Sequence, residues 1–266
     1  MFKLEVRLKK FLVITGPPKN GTTYLCSILH NFSNAVMLTE PPLLDAINQD
    51  PKIAVKDLFE YYHEQVLNRK EVPNSIKADG QLYTDPRTET HLRVKVRDVH
   101  SFDNKDFILG IKNPQFFLNS LPFIIDSMPD ARIAVIVRNP FDAIGSMRRF
   151  GTGSAGQGIY KVKDYYLKNY LVDIREFEHI SLLWKWWTDI IINHLDSVVL
   201  IRYQDAVLDP QRTIERVFGD WCPGKPTTEI IPSKVRYSRD CMIEGDEQWV
   251  IDHCKENAVR LGIWEE

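Results

Sequence analysis

Short apolar runs recur along the chain with polar or helical segments between them, and they predict a parallel β-sheet. The runs cover 11–15, 35–38, 107–112 and 131–137, and a fifth begins at Val198. Continuous apolar runs of this length are typical of strands that are buried on both faces. Because segments with helical periodicity separate them, we predict an α/β fold in three layers, with a central, mainly parallel sheet flanked by helices.

The segments between the apolar runs predict helices, a surface excursion and a linker or lid. Helices are predicted over 22–31, 51–71, 115–127 and 174–195, and another is predicted to begin at Pro140. Trp184 and Trp187 fall on the apolar stripe of the last long helix, so we expect them in the core. Residues 72–90 are rich in Pro, Asn, Asp, Gly and Thr and predict a long surface excursion. The glycine-rich run 151–158 is either a surface linker or a lid over the substrate.

Composition narrows the class of protein. A chain of 266 residues with 44% hydrophobic residues can form one full core, so we expect residues 1–266 to be a single domain. A net charge of −2 provides no general basic surface for nucleic acid or anionic membranes. The four cysteines have neither Cys-x-x-Cys spacing nor a dense framework, which favours a reducing compartment over a zinc site or a disulfide scaffold. No run approaches the roughly 20 apolar residues of a membrane span, so a cytoplasmic protein without a transmembrane segment is expected.

The first predicted strand leads into a segment with the composition of a phosphate-binding loop. Residues 16–23 read GPPKNGTT, and a helix is predicted to begin at Thr22. Backbone N–H groups at a helix N-terminus attract anions, to which the hydroxyls of Thr22 and Thr23 add donors and Lys19 adds charge. The two glycines have the spacing of the common nucleoside-triphosphate loop, but Thr22 stands where that loop carries its lysine. The sequence therefore predicts an anion site suited to a sulfated or phosphorylated leaving group.

Part of this loop resembles a known motif. The order of residues resembles the 5′-phosphosulfate-binding loop of sulfotransferases, which use 3′-phosphoadenosine-5′-phosphosulfate (PAPS) as donor. The resemblance implies that the donor is bound by Pro18, Lys19, Asn20, Gly21, Thr22 and Thr23. It also implies the P-loop-like fold of that family.

Two later segments strengthen the resemblance. Residues 138–146 read RNPFDAIGS and match the family's Arg-x-Pro-x-Asp-x-x-x-Ser pattern, in which the arginine and the serine bind the 3′-phosphate. The resemblance assigns that role to Arg138 and Ser146. Residues 198–205 resemble the family's late strand and its Arg-Tyr-Glu-Asp segment, with Gln204 replacing the usual acid. The three motifs follow the family's order from about residue 11 to residue 210.

Two lysines are candidates for electrostatic catalysis. Sulfuryl transfer to a hydroxyl or amine builds charge on the leaving oxygen, which nearby cations stabilise. We expect Lys19 to stabilise the 5′-phosphate leaving group. Lys112 ends a predicted strand and opens a Lys-Asn-Pro segment that resembles the family's Lys-x-Pro or Lys-x-His segments, so we expect it to bind the sulfuryl oxygens. A sulfuryl group carries less negative charge than a phosphoryl group, and no metal is predicted.

The candidate base is Glu40. Cytosolic small-molecule sulfotransferases have a catalytic histidine two residues beyond the lysine that Lys112 resembles, and this chain has Pro114 there. Protein-tyrosine sulfotransferases carry a catalytic glutamate at the distance from the loop at which Glu40 stands. A carboxylate can accept the acceptor's proton; the alternative role for Glu40 is to hydrogen-bond a turn. Weaker candidates for the base are Asp45, His91 and His100.

The C-terminal part of the chain departs from the resemblance. Many family members place an Arg-Lys-Gly segment against the 3′-phosphate, whereas this chain offers Arg236, Ser238 and Arg239 there, of which Arg239 is the candidate ligand. The acceptor stays open among small hydroxylated molecules, glycans, lipids and peptides. Aromatic residues such as Tyr61, Tyr62, Phe116 and Phe117 could either wall an apolar pocket or belong to the core.

Two other functions remain open at this point. A P-loop kinase or ATPase would show the same periodicity, although the loop lysine is missing and the strand ending at Val137 leads into an arginine rather than an acid. A non-catalytic nucleotide-binding protein of the same fold would also fit, since the family's histidine and its Arg-Lys-Gly segment are absent. Substitution of Glu40 and Lys112 would distinguish this case from an enzyme.

Overall fold

The computed structural model describes residues 9–42, 51–77, 81–83, 94–96, 106–149, 180–242 and 244–264. In these ranges the strands are β1 Lys10–Thr15, β2 Ala35–Thr39, β3 Val72–Asn74, β4 Val94–Val96, β5 Ile108–Lys112, β6 Arg132–Val137 and β7 Val199–Arg202. Five of them form one parallel sheet in the order β2-β5-β1-β6-β7, and β3 pairs with β4 in a small antiparallel sheet.

Helices connect the strands and flank the sheet. They are α1 Thr22–His30, α2 Pro51–Leu67, α3 Pro114–Asn119, α4 Leu121–Ser127, α5 Pro140–Arg149, α6 Ile180–Ile192, α7 Tyr203–Leu208, α8 Pro210–Phe218 and α9 Asp246–Arg260. Short 3₁₀ turns occupy Leu195–Ser197 and Arg239–Cys241. Within the described ranges, none of these helices has both the length and the apolar composition that crossing a bilayer requires.

The central sheet is buried on both faces. Side chains of successive strand residues point to opposite faces, so Val13 of β1 packs in the core formed with α2, α5, α6 and α9. Leu12 and Ile14 pack in the second core, with α1, α7 and α8. All three residues are fully buried. The predicted three-layer α/β fold is confirmed, because apolar residues at every position of a strand are what two covered faces require.

The aromatic residues pack largely as core. Trp184 and Trp187 of α6 are buried, which confirms the prediction for that helix. Tyr62, Phe116 and Phe117 are also buried, and the last two rings lie 5.7 Å apart. Tyr61 is exposed.

The predicted surface excursion over residues 72–90 is wrong in its first part. Val72 and Ile76 are fully buried, and β3 places its residues against the edge of the central sheet. The polar residues Asn74 and Ser75 made this segment resemble a loop, but both are buried and hydrogen-bonded to β2. A polar segment can thus enter the core when its donors and acceptors find partners.

The helix predicted over 115–127 is two helices. α3 ends at Asn119, the N–H of the following Ser120 donates back to the carbonyls of Phe116 and Leu118, and α4 carries Pro122 near its start. Proline lacks an N–H and is tolerated only in the first turn of a helix, so the chain restarts there. The run 151–158 and the weaker base candidates Asp45, His91 and His100 lie outside the described residues.

Candidate active site

The predicted site residues follow the carboxyl ends of neighbouring strands. Lys112 is the last residue of β5 and lies in register with Ile14 of β1 and Thr39 of β2. Glu40 follows β2, Arg138 follows β6, and the loop over 16–21 follows β1. In open parallel sheets this edge forms the ligand crevice, above all where the connections of two adjacent strands lead to opposite sides of the sheet. Here β1 connects to β2 on one side, and its neighbour β6 connects to β7 on the other.

Two glycines of the loop are required by close packing. Gly16 has φ +149°, and a Cβ atom on it would lie 2.2 Å from the carbonyl oxygen of Ile136 in β6. Gly21 has φ +99°, and a Cβ atom there would lie 2.5 Å from the ring of Tyr203. Glycine is the residue that adopts such backbone angles without strain and lets another group approach this closely. The loop is therefore pressed against both β6 and the residue that follows β7.

A buried side chain ties this loop to the strand that carries Arg138. Asn20 is fully buried, and its Oδ1 accepts the backbone N–H of Arg138 at 2.6 Å. Its Nδ2 donates to the carbonyl of Pro18 at 3.0 Å, and its own N–H donates to Pro17 at 3.2 Å. Asn20 thus fixes the loop conformation and joins two motifs that lie far apart in the sequence.

The N-terminus of α1 faces the loop with its positive end. Gly21 is the N-cap and has no side chain to bind the first N–H groups, and the first turn contains no acidic residue. N–H groups in the first turn of a helix have no acceptor within the helix, and the helix dipole adds partial positive charge. This end of α1 is suited to hold an anion.

Lys112 and Glu40 are joined through both side chain and main chain. Nζ of Lys112 lies 2.5 Å from Oε1 of Glu40 and donates to Oγ1 of Thr23 at 3.0 Å. The N–H of Glu40 donates to the carbonyl of Lys112 at 2.8 Å. The Lys112 side chain is 5% exposed and that of Glu40 is 39% exposed, so the carboxylate can be reached from solvent while the ammonium is covered.

Two of the predicted catalytic residues have backbone angles that are unusual for residues other than glycine. Lys19 has φ +63° and Glu40 has φ +45°. Such left-handed conformations are unfavourable by about 1–3 kcal/mol and are found where surrounding contacts enforce them, often at active sites. For Glu40 one enforcing contact is the hydrogen bond from its N–H to Lys112.

The three charged side chains influence one another. Burial lowers the pKa of Lys19, the ammonium of Lys112 lowers that pKa further, and the carboxylate of Glu40 opposes both effects. Two cations and one anion therefore share this end of the site. A bound anion would stabilise the charged form of Lys19.

Arg138 lies buried on the other side of the loop. Its guanidinium lies 4.7 Å from the centre of the Tyr203 ring, its Nη2 is 3.6 Å from Oδ1 of Asp142, and Nη2 also donates to the carbonyl of Arg236. Burial lowers the pKa of Arg138, and Asp142 opposes this. Nε of Arg138 is buried and has no hydrogen-bond partner among the described residues. An N–H donor in this position calls for an acceptor that the described part of the chain does not supply.

The C-terminal segment crosses α5 beside Arg138. Oδ1 of Asp142 accepts the N–H of Ser238 at 2.5 Å, and a Cβ atom on Gly145 would lie 1.9 Å from the carbonyl oxygen of Ser238. Ser146 is buried one turn after Asp142, on the same face of α5. The structure therefore brings Arg138 and Ser146 to one helix face that the C-terminal segment covers.

Arg239 lies close to this face but has its own partners. Its guanidinium lies 4.3 Å from the centre of the Phe141 ring, and its Nε donates to Glu247 of α9 at 2.9 Å. In this segment the direct contact with Arg138 comes from the main chain of Arg236, not from an arginine side chain.

Three residues of the site were not predicted individually. Asp142 and Tyr203 lie within the motifs quoted above, so the motifs themselves were the available signal. Asn74, which contacts the residue before Glu40, lies in a segment that resembles a surface loop. No sequence pattern marked it.

Comparison with a family model agrees with these motifs. A sequence model described as the sulfotransferase family matches residues 12–221. Similar solved structures include a sulfotransferase from Alicyclobacillus acidocaldarius, with 16% identity and a TM-score of 0.46 over 96% of this chain and 95% of that one. They also include the sulfotransferase domain of the Synechococcus PCC 7002 olefin synthase, with 15% identity and a TM-score of 0.41 over 80% of this chain and 74% of that one. Sulfotransferase STF9 from Mycobacterium avium has 14% identity and a TM-score of 0.39 over 94% and 70% of the two chains. No curated protein matches the chain.

Proposed function

The chain belongs to the sulfotransferase family, and from that premise we propose that it transfers a sulfuryl group from PAPS to a hydroxyl or amine of an acceptor. PAPS supplies the sulfuryl group, and its 5′-phosphate is the leaving group. The proposal needs no metal ion, because positioning and fixed positive charge carry the transfer.

The proposal that PAPS is the donor rests on the buried guanidinium of Arg138. Its Nε has no hydrogen-bond partner among the described residues, and Ser146 lies on the same face of α5 as Asp142, which contacts Arg138. A 3′-phosphate would supply the acceptor atoms that this donor lacks, and charged groups form the stronger hydrogen bonds. ATP has no such phosphate. Arg239, which Glu247 already engages, has a weaker claim as a further ligand.

The loop after β1 would hold the 5′ end of the donor. In this proposal the 5′-phosphate is bound by the N–H groups at the start of α1, the hydroxyls of Thr22 and Thr23, and the ammonium of Lys19. Supporting it, Oγ1 of Thr23 accepts from Lys112, and Lys19 interacts electrostatically with the same lysine. Pro18, Asn20 and Gly21 shape the loop, since Asn20 anchors it and Gly21 allows its approach to Tyr203. As negative charge grows on the leaving oxygen, Lys19 and the helix dipole stabilise it.

Glu40 and Lys112 would act on the two reactants. Glu40 accepts the proton of the acceptor's hydroxyl as the acceptor oxygen forms its bond to sulfur. The bond between sulfur and the bridging oxygen breaks, and its electron pair stays on the 5′-phosphate. Lys112 stabilises the sulfuryl oxygens during this in-line transfer. The exposed carboxylate of Glu40 beside the covered ammonium of Lys112 suits this division of roles.

Calorimetry with defined nucleotides tests the donor before any acceptor is known. We expect adenosine 3′,5′-bisphosphate to bind with micromolar affinity, equally with and without magnesium, and ATP to bind much more weakly. Transfer of ³⁵S from labelled PAPS to a panel of phenols, sugars, lipids and peptides then identifies the acceptor class. Magnesium-dependent binding of ATP without a response to the bisphosphate would overturn the proposal in favour of a kinase or ATPase.

A further inference from the structure

We propose that Asn74 is a positioning residue that holds Glu40 beside Lys112. Asn74 ends β3, and its side chain lies against the edge of β2, immediately before Glu40. The inference rests on the proposed role of Glu40 as base.

The amide of Asn74 takes the place of a neighbouring strand at the edge of β2. Among the described strands of the central sheet, β2 is at the edge and pairs with β5 on one side. The outward-facing N–H of Met37 donates to Nδ1 of His30 at 2.9 Å, and the carbonyl of Met37 accepts from Nδ2 of Asn74 at 3.0 Å. Oδ1 of Asn74 accepts the N–H of Thr39 at 3.0 Å. One side chain therefore pairs with two main-chain groups that an edge strand would otherwise leave open.

The network around this amide is buried and directional. Oδ1 of Asn74 also accepts from Oγ1 of Thr39 at 2.8 Å and from the N–H of Ser75 at 2.9 Å. Oγ of Ser75 donates to Oγ1 of Thr39 at 2.7 Å. Asn74, Thr39 and Ser75 are 0%, 3% and 5% exposed. Removing the amide would leave buried main-chain groups without these partners, so no other residue type of this size can be substituted without loss.

The network ends at the residue that precedes Glu40, and the next hydrogen bond belongs to Glu40 itself. The N–H of Thr39 is held by Asn74 on the outer edge of β2, whereas the N–H of Glu40 is held by the carbonyl of Lys112 on the inner edge. Both anchors lie just before the N–Cα bond of Glu40, about which the left-handed φ of +45° is measured. Thr39 is thus held between the two edges of β2, which fixes the start of Glu40 and directs its carboxylate to Nζ of Lys112 at 2.5 Å.

The pairing of Glu40 with Lys112 can be tested through the chemical reactivity of Lys112, which needs neither donor nor acceptor. The full chain is treated with the N-hydroxysuccinimide ester of acetic acid, and acetylation of each lysine is followed by mass spectrometry, with Lys10 as internal reference. Glu40→Gln gives the rate for a broken Glu40–Lys112 pair. We expect Asn74→Ala to raise the acetylation rate of Lys112 by about threefold or more, as Glu40→Gln does.

A second buried asparagine provides the matched control. Asn257 is 2% exposed, and its Nδ2 donates to the carbonyl of Lys185, to Thr188 and to Asp189 between α6 and α9. Asn257→Ala removes a comparable network elsewhere, so the acetylation rate of Lys112 should stay at the wild-type value. A rise in this control would show that general loosening, not the position of Glu40, exposes Lys112.

The result that overturns the proposal is a wild-type acetylation rate of Lys112 in Asn74→Ala when Glu40→Gln raises it. If Asn74→Ala does not fold, Thr39→Val and Thr39→Ser decide, because valine removes the hydroxyl and serine keeps it. We expect a raised rate in Thr39→Val and its return to the wild-type value in Thr39→Ser; an unchanged rate in Thr39→Val refutes the role of Asn74. Failure of wild-type protein to bind adenosine 3′,5′-bisphosphate would instead refute the proposed function and leave the acetylation result unaffected.

Discussion

The ammonium of Lys112 lies 2.5 Å from Oε1 of Glu40, so the proposed base and the proposed sulfuryl-binding cation are direct neighbours. They come from the ends of adjacent strands, β5 and β2, in register at Lys112 and Thr39. Each residue therefore defines the electrostatic environment of the other. A substitution of one residue therefore changes the environment of the other, and the effects of substituting both should not add.

Glu40→Gln should abolish most of the turnover and leave donor binding intact. Glutamine keeps the size of the side chain, but it has no charge to pair with Lys112 and cannot accept the acceptor's proton. We expect the rate of ³⁵S transfer from PAPS to fall by roughly 10²–10⁴-fold, the usual contribution of a general base. The affinity for adenosine 3′,5′-bisphosphate, measured by calorimetry, should change little.

Glu60→Gln is the matched control for this experiment, because Glu60 pairs with Lys9 outside the site. Its turnover should equal that of the wild type. Full turnover in Glu40→Gln would show that another group accepts the proton.

Arg138→Ala should remove the preference for nucleotides with a 3′-phosphate. The comparison is between adenosine 3′,5′-bisphosphate and 5′-AMP, which lacks that group. A hydrogen bond to a charged group contributes about 1.5–3 kcal/mol, so the affinity for the bisphosphate should fall by roughly 10- to 150-fold. The affinity for 5′-AMP should change much less.

Arg132→Ala is the control for Arg138→Ala. Arg132 begins β6, the strand that Arg138 follows, and it contacts Asp220 and the ring of Trp221 away from the predicted ligands. Both nucleotides should bind this variant with wild-type affinity. Equal losses for the two nucleotides in Arg138→Ala would contradict a 3′-phosphate site at Arg138.

The strands were predictable because burial on both faces leaves a local pattern. The run over 11–15 corresponds to β1 Lys10–Thr15, and the run over 131–137 to β6 Arg132–Val137. The position of the site followed from the same information, since carboxyl ends of parallel strands share one edge. Local sequence therefore predicted the edge of the sheet at which the candidate residues lie.

Contacts between distant segments were not predictable in this way. Asn20 accepts from the N–H of Arg138 across 118 positions, and Asn74 binds Thr39 across 35 positions. Each asparagine is polar and surrounded by residues typical of loops, and it is buried only because a distant main chain supplies its partners. Periodicity reports the burial of apolar side chains and does not report hydrogen bonds of this kind.

Gly21→Ala should be more damaging than Gly245→Ala, although both glycines are helix N-caps with positive φ. Their φ values are +99° and +84°, so alanine strains the backbone at both positions. A Cβ atom at Gly21 would meet the Tyr203 ring at 2.5 Å, whereas one at Gly245 would meet nothing within 4 Å. The difference in stability between the two alanine variants therefore measures the effect of the close contact with Tyr203.

We expect Gly21→Ala to lower the free energy of unfolding by about 1–3 kcal/mol more than Gly245→Ala does, as overpacking commonly does. Denaturant unfolding measures this difference. Gly21→Ala should also weaken binding of the bisphosphate, because the loop has to move away from Tyr203. Equal stabilities of the two variants would show that the contact between the loop and Tyr203 is looser than described.

Because of Lys19, both the free energy of unfolding and the affinity for the donor should change with pH in the alkaline range. Burial lowers its pKa below the ordinary 10.5, so between the lowered value and 10.5 the unfolded chain binds more protons than the folded one. The free energy of unfolding therefore rises with pH through this window. Lys19→Met should remove that rise and should stabilise the protein at neutral pH, as measured by denaturant unfolding.

Binding of adenosine 3′,5′-bisphosphate should show the opposite dependence. The 5′-phosphate stabilises the protonated Lys19, so binding takes up a proton wherever the ammonium of the unbound protein is partly deprotonated. The affinity should then fall as pH rises through the window below 10.5. In Lys19→Arg, which stays charged, the fall should be smaller, and in Lys19→Met the affinity should be lower throughout with little slope. Lys9→Met, which removes an exposed lysine outside the site, should keep the wild-type slope. A wild-type slope in Lys19→Met would show that another group, and not Lys19, binds the 5′-phosphate in its charged form.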